Sequence, residues 1–333
     1  MGESPDWPPE RFQILALDGG GIRGLYTASL LAALESALGG PIVDHFDLIA
    51  GTSTGGIIAL GLALGKSPEE LATFYREDGP SIFPRPKGIL AWIRHLRGVK
   101  YGATVLEDSL RREFGEQRLA DCSRALVIPT YNLDRDAPVV LKTPHHAEFW
   151  ADPKIEVWKV ALATSAAPTY LPASTEIRDS RHVDGGMWAN NPALVGVIEA
   201  HHFLGVPLDA IRVLTIGTGS VVKNRSEALS RGGLWAWRSD ATDVLLRAQS
   251  EGAQNQVRLL LGDERVMRIN PTVPLTWGRL DVIRREFAGH GKEDAKTHRT
   301  EITNRFTSHR GLDLQQLRAA TGAEEQHART RIS

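Results

Sequence analysis

Two short apolar segments in the first sixty residues each run into a glycine-rich turn and then a helical pattern, which constrains the fold most. Phe12-Gln-Ile-Leu-Ala-Leu17 has the pattern of a buried strand and ends at Asp18 and three glycines. Leu25 to Leu38 follows with helical apolar spacing and stops at Gly39-Gly40. His45-Phe-Asp-Leu-Ile-Ala50 predicts a second strand, then Gly51-Thr-Ser-Thr-Gly-Gly56 and a helix of small residues reaching Gly65. Successive strand–turn–helix units return parallel strands to one sheet with helices on its faces.

The pattern continues. Ala125 to Pro129 predicts a third strand, and Val157 to Ala167 a helix stopped by Pro168. His182-Val183 leads into Asp184-Gly-Gly186, a helix is expected from Pro192, and Ile211 to Ile216 is another buried strand. The expected architecture is α/β, a three-layer sandwich around a central, mostly parallel sheet, spanning residues 10–220. Residues 221–333 are expected to form a helical C-terminal extension packed on it, with a helix over Thr242–Leu261 and a short strand over Arg265–Ile269. From residue 281 the chain is charged with weak periodicity, and a frayed tail is expected from Ala323.

Charge and composition remove several classes of function. A net charge of −1 gives no global basic field for a nucleic-acid polymer. The single Cys122 excludes an internal disulfide and a cysteine-built zinc site, which fits a reducing compartment. No histidine or acidic cluster has metal-ligand spacing, so no metal and no cofactor are expected. The N-terminal stretch lacks a basic segment followed by an apolar run, and no segment approaches the ~20 apolar residues of a membrane span. The expected location is cytoplasmic.

Gly51-Thr-Ser53-Thr-Gly55 fits G-x-S-x-G between a strand and a helix. A serine raised on such a turn has a strained backbone, and side chains at Gly51 or Gly55 would collide with neighbouring segments. Read alone, the pentapeptide also fits an incidental serine in a βα turn. Asp18-Gly-Gly-Gly-Ile-Arg-Gly24 contains G-x-G-x-x-G, the dinucleotide-binding pattern. That reading needs an acid at the end of the second strand to meet a ribose. Asp44 and Asp47 stand before or at the start of it, and Asp18 would repel a pyrophosphate. The loop serves better as an oxyanion hole, with Gly19, Gly20, Gly21 and Gly24 as candidates and Arg23 supporting the loop or adding positive charge. Arg23 also fits an ordinary ion pair. Gly61-Leu-Ala-Leu-Gly-Lys-Ser67 is one residue short of a phosphate loop and reads as a helix end.

A nucleophilic serine needs a base. His182, His201 and His290 are candidates for a triad, but only one full strand–helix unit precedes Ser53, which argues against the usual serine-triad hydrolase fold. Asp184, followed by Gly185 and Gly186, is the better candidate. Alone, the tripeptide more often marks a simple turn.

Asp18–Gly24, Gly51–Gly55 and Asp184–Gly186, in that order and with Ala163-Thr-Ser-Ala-Ala-Pro168 before the aspartate, closely resemble the patatin-like phospholipases over about residues 12–220. The resemblance implies a Ser53–Asp184 dyad, an acyl-enzyme, and an oxyanion held by the Gly19–Gly21 loop. It implies phospholipid substrate at a membrane surface, reached from the inner face. Leu141-Lys-Thr-Pro-His-His146, Ala161–Pro168 and Leu261-Gly-Asp-Glu-Arg265 resemble, more narrowly, bacterial patatin-like effectors of antiphage defence. That implies activation by a cyclic dinucleotide and leaves a homo-oligomer open. The alternatives are a constitutive lipid acyl hydrolase and, from another class, a dinucleotide-binding module on the first glycine loop.

Two stretches could meet a membrane or regulator. Residues 82–97 mix Ile82, Phe83, Trp92 and Ile93 with Arg85, Lys87, Arg94 and Arg97, which fits a lid or an ordinary packed helix with a basic face. Trp235 and Trp237 beside Arg231 and Arg238 fit a stacking or interfacial anchor, or half-buried core.

Overall fold

The structure is a computed structural model and describes residues 7–84, 99–221, 227–233, 237, 241–274, 277, 279–282, 284 and 286–323. Strands β1 (Phe12–Leu17), β2 (Leu48–Gly51), β3 (Ala125–Asn132), β4 (Ala137–Lys142), β5 (Ser174–Ile177), β6 (Ser180–Asp184), β7 (Ile211–Ile216) and β9 (Val266–Ile269) form one sheet. The short strands β8 (Ser220–Val221) and β10 (Thr272–Val273) pair separately. The main order is β5-β6-β3-β2-β1-β7-β9, with β4 also paired to β3. Every pairing from β3 through to β9 is parallel, and antiparallel pairing is confined to the β3–β4, β3–β6 and β5–β6 ladders.

All six residues of β1 are buried, because the period-2 alternation feeds two cores at once. Leu15, Leu17, Ile49, Leu126, Ile128, Leu214 and Ile216 point to one side. There they meet helices α1 (Gly24–Leu38), α2 (Thr54–Ala63), α3 (Pro68–Glu77), α4 (Thr104–Phe114) and α5 (Val157–Ser165). Phe12, Ile14, Ala16, Leu48, Ala50, Val127 and Val213 point to the other side. They pack on α6 (Ala193–Ile198), α7 (Ala241–Leu261) and α9 (Leu314–Ala320). Helices cover both faces, so the expected three-layer α/β sandwich is present.

The elements differ from expectation in particular places. β2 starts at Leu48, because Ile42–His45 is wound into a 3₁₀ turn after Pro41. Asp47, buried at the entry to β2, accepts from the Gln13 amide at 2.7 Å, the Leu312 amide at 2.8 Å and His309 Nε2 at 2.7 Å. It braces the N-terminal ends of the central strands β1 and β2, and its oxygens are already engaged by Gln13, Leu312 and His309. β9 joins the same sheet beside β7, so the sheet draws on chain beyond residue 220.

The weakly periodic charged region from 281 contains a 21-residue helix, α8 (Glu286–Phe306). Its buried residues are Phe287, Gly291, Ala295, Ile302 and Phe306, one narrow stripe that includes two small residues. Small residues add little apolar signal, yet they let α8 lie against α1. A methyl on Gly291 would sit 2.5 Å from the Tyr26 carbonyl oxygen. Tyr26 Oη donates to Asp294 Oδ2 at 2.6 Å across the same contact.

The basic residues at 85–98, together with Trp235 and Arg238, lie outside the described residues. Ile82 is buried, and Phe83 packs edge-on against Tyr101 with ring centroids 5.4 Å apart.

Two glycines of α8 give a test of this packing. Gly291→Ala should lower stability by about 1–3 kcal/mol, because the added methyl meets backbone that cannot yield. Gly289→Ala has open space around the new Cβ and should raise stability by up to about 1 kcal/mol through helix propensity. Urea denaturation of both variants measures the pair.

Candidate active site

Ser53 stands between β2 and α2 with φ 54° and ψ −121°, a conformation that a non-glycine residue rarely adopts. Such strain costs of the order of 1–3 kcal/mol and persists only when the surroundings over-determine it. The Thr52 amide donates to the Leu17 carbonyl at 3.1 Å, and Thr52 Oγ1 to the Ala189 carbonyl at 2.6 Å. The Ser53 amide donates to Thr164 Oγ1 at 3.0 Å. Gly55 lets the turn press on the end of β1, since a methyl there would stand 2.2 Å from the Leu17 carbonyl oxygen. Gly51 is equally constrained, 2.4 Å from the Gly55 oxygen.

Asp184 ends β6, opposite Thr130 of β3. Its Oδ2 accepts from Ser53 Oγ at 2.7 Å, and its Oδ1 from the Gly186 amide at 2.7 Å. Gly185 allows this approach, because a methyl would fall 2.2 Å from the Pro129 carbonyl oxygen. Both side chains are buried. Burial pushes the Asp184 carboxyl up to about 6, against the hydrogen bonds from Ser53 and Gly186, which lower it. The pair expected from the motifs is in contact.

The glycine loop after β1 is narrower in what it offers than the sequence suggested. Gly19 donates its amide to the Asn190 carbonyl at 3.0 Å, so it has no free donor. The Gly24 amide is taken by the carbonyls of Gly21 and Ile22. Gly24 is a packing glycine, since a methyl would stand 2.0 Å from Thr54 Oγ1. The amides of Gly20 and Gly21 have no acceptor among the described residues.

Two side chains orient them. Thr218 Oγ1 donates to the Gly19 carbonyl at 3.1 Å, and Arg23 Nε to the Gly20 carbonyl at 3.3 Å. In a trans peptide the C=O and the following N–H point in opposite directions. Fixing those carbonyls therefore fixes the Gly20 and Gly21 N–H groups on the other side. Gly21 holds φ +58° with the Leu280 carbonyl 2.4 Å from where a Cβ would be, so only glycine fits. Arg23 also donates to the Gly219 carbonyl at 2.8 Å. Burial lowers its guanidinium to about 10, where it still carries its charge at neutral pH. It supports the loop.

Asp18 is taken up by an ion pair. Arg268 of β9 grips it with two bonds of 2.8 and 2.5 Å. Nothing in the sequence marked Arg268, because its partner lies 250 residues away. Asn190, Thr218 and Ser250 were also missed. Asn190 Nδ2 donates to Ser250 Oγ at 2.8 Å, which ties the segment after Asp184 to α7.

None of the three weighed histidines bonds Ser53. His182 Nε2 lies 3.3 Å from Asn132 Nδ2, His201 Nδ1 lies 2.9 Å from the Val206 carbonyl, and His290 packs on Trp277. Leu141–His146 lies away from the pair, with Lys142 opposite Val127 of β3. His145 is fully buried there, Nε2 to Glu199 Oε1 at 2.9 Å.

Comparison with known proteins assigns the chain. The sequence profile of the patatin-like phospholipases matches residues 15–197. A protein of Pseudomonas aeruginosa (strain BWHPSA011 / Pa011) named cGAMP-activated phospholipase is 40% identical over 262 residues, 76% of each chain. One of the same name from Vibrio cholerae serotype O1 is 40% identical over 237 residues, 63% of this chain and 67% of that one. Patatin-like protein 1 of Oryza sativa subsp. indica is 32% identical over 294 residues, 75% of this chain and 71% of that one. Among solved structures, VipD from Legionella pneumophila shares the fold with a TM-score of 0.50 at 13% identity, covering 89% of this chain and 67% of that one. The chain belongs to the patatin-like phospholipase family and is a lipid acyl hydrolase.

The raised Asp184 carboxyl has a consequence for stability. Its folded value, about 6, exceeds the ordinary 3.8, so the native state favours the protonated form. The favourable contribution is complete below about pH 3.8 and is lost as pH rises through 6. Asp184→Asn removes that burden. Its stability advantage over wild type should grow between pH 4 and 7 to about 1–3 kcal/mol, then level off. Urea denaturation across pH measures this directly.

Proposed function

We propose that Ser53 and Asp184 act as a catalytic dyad that hydrolyses acyl esters of membrane phospholipid. The observation that carries the reading is the 2.7 Å bond from Ser53 Oγ to a buried carboxylate, made by a serine held at φ 54°. Ser53 Oγ attacks the ester carbonyl carbon while its proton passes to Asp184 Oδ2. The carbonyl oxygen becomes an oxyanion that faces the Gly20 and Gly21 amides, which have no acceptor among the described residues. Collapse breaks the ester C–O bond, and Asp184 returns the proton to the departing lysophospholipid alkoxide. A water then gives its proton to Asp184 and attacks the acyl-enzyme, releasing fatty acid and restoring Ser53.

A buried carboxyl near 6 suits this role. It is ionised at neutral pH yet basic enough to share the serine proton, as a general base should be. No helix among the described residues is long and apolar enough to cross a membrane. The cytoplasmic face of the membrane is the assigned place of action. The lone, buried Cys122, its thiol pushed up to about 12 by burial, supports a compartment where thiols stay reduced.

The regulation we assign is activation by a cyclic dinucleotide, in the service of antiphage defence. It is supported by the 40% identity over three quarters of the chain to a relative named for cGAMP activation. A constitutive hydrolase is the competing reading, since Ser53 Oγ and Asp184 Oδ2 stand within hydrogen-bond distance of each other.

Fatty-acid release from phospholipid vesicles, with and without cyclic GMP-AMP, separates these readings. Wild type should release fatty acid in the presence of the dinucleotide. Ser53→Ala should lose about 10⁴-fold or more, and Asp184→Ala about 10³-fold or more. The rate should rise with pH through an apparent value near 6 as Asp184 ionises. Release that survives in Ser53→Ala refutes the dyad. Full release without the dinucleotide refutes the switch and leaves the hydrolase.

A further inference from the structure

Thr164 is fully buried in the last turn of α5, in none of the roles described for the dyad or the oxyanion loop. It nevertheless touches both halves of the pair. Its Oγ1 accepts from the Ser53 amide at 3.0 Å and donates to the Pro129 carbonyl at 2.6 Å. Its own carbonyl accepts from the Gly185 amide at 3.2 Å, beside the base. The next bond along, from the Asp184 amide to the Ala166 carbonyl at 3.0 Å, comes from the same helix end. A methyl added to Gly56 of α2 would lie 2.9 Å from Thr164 Cγ2, so the threonine methyl closes the gap behind the nucleophile.

We infer that Thr164 is the positioning residue that holds Ser53 in its strained turn and fixes that turn against the Asp184 turn. The inference rests on the dyad proposed above. The chemistry of the hydroxyl is specific. A residue at φ 54° has its amide turned out of any helical or strand partnership, so a separate acceptor is needed for it in the protein interior. That acceptor must also give away its own proton, or it would itself be an unsatisfied donor. A threonine hydroxyl between an N–H and a C=O meets both requirements, and its β-branch limits the side chain to few rotamers. A purely apolar side chain does neither, which separates Thr164 from a residue that merely fills space. Pro129, which receives the proton, is the residue Gly185 is pressed against, so the three contacts close a ring around the two turns.

Thr164→Val keeps the shape and removes the hydroxyl. The Ser53 amide then has no acceptor, the turn can relax, and the Ser53–Asp184 bond lengthens. We expect kcat to fall about 10- to 100-fold with KM within twofold, because the substrate surface is untouched. Losing the Ser53 hydrogen bond removes a contact that lowers the Asp184 carboxyl, so the acid limb of the pH–rate profile should move above 6. Inactivation by a fluorophosphonate, which phosphonylates the activated serine, should slow in parallel with kcat. Thr164→Ser, which restores the hydroxyl and lacks only the methyl, should recover kcat to within a few-fold and return the acid limb to its wild-type position.

A folded Thr164→Val enzyme, by circular dichroism and melting temperature, with kcat within twofold and an unmoved acid limb would overturn the inference. If Thr164→Val does not fold, Thr164→Ser decides. A folded serine variant with wild-type kcat supports it, and one that loses tenfold or more refutes it. Ser53→Ala and Asp184→Ala keep the two readings apart. If either stays active the dyad fails, whereas inactive dyad variants beside an unaffected Thr164→Val remove only the positioning role.

Discussion

The hydrogen bond between Ser53 and Asp184 sets the demands that the rest of the molecule meets. It joins residues 131 apart in sequence, on two turns at one end of the sheet. Neither turn is comfortable. One carries a serine at positive φ, and the other a carboxyl whose ionised form is penalised by burial. Each unfavourable feature would relax if its surroundings were soft. The surroundings are therefore made of backbone in contact with backbone, at Gly51, Gly55 and Gly185, where any side chain would force the turns apart. Close packing of this kind has low compressibility, so strain at one point is held by the sheet and not dispersed.

On the proposed dyad, aspartate in place of histidine follows from the same environment. An imidazole is near neutral in water but must have its tautomer chosen by a third group. A carboxylate has no tautomer to choose, and needs only a raised proton affinity and a fixed orientation. Burial supplies the first at Asp184, and the Gly186 amide on Oδ1 supplies the second while leaving Oδ2 to the serine. Ionised carboxylates nearby would complicate such a base. Asp18, the closest in the first motif, is neutralised as an ion pair by Arg268, with Thr215 Oγ1 accepting from the same guanidinium at 2.7 Å. The rival reading of the first glycine loop fails on this geometry also. Asp18, which would repel a pyrophosphate, is locked to β9, and Asp47 is occupied at the N-terminal end of β2, so no free acid stands where a ribose would lie.

The parts legible in sequence were those whose cause is local. Strand β1 was legible to the residue, because six apolar or buried positions are bounded by Arg11 and the Asp18 glycines. Ser53 and Asp184 were legible because glycines mark the places where chain approaches chain. The α8 helix was poorly legible, because its contact with α1 depends on Gly291 and Ala295, residues that carry almost no hydrophobic signal. β4 was missed because its burial is irregular, with one residue of six fully buried. The roles of Arg268, Thr218 and Ser250 were not legible at all. Each acts on the site through a partner 60 or more residues distant, and a lone arginine, threonine or serine looks the same whether or not that partner is present.

Those three residues change how the C-terminal third of the chain is understood. Its helices were expected to pack on a finished domain. Instead β9 pairs with β7 and brings Arg268 to Asp18, while Thr218, on the turn after β7, fixes the peptide that aims the Gly20 amide. Ser250 of α7 holds Asn190, whose carbonyl in turn takes the Gly19 amide. Leu280 closes the opposite side of the loop, with its carbonyl on the Ile22 amide and against Gly21. Asp281 next to it is gripped by Lys100, by Tyr101 at 2.7 Å and by Arg279. The loop carrying the Gly20 and Gly21 amides is thus braced by Thr218, Arg268 and Leu280, all from chain beyond residue 210. A displacement of β9 or of the 279–281 segment would be passed to the loop through Asp18, Gly21 and Ile22. Under the function proposed above, control can act on this loop while Ser53 and Asp184 keep their own bond, which separates assembling the pair from switching it on.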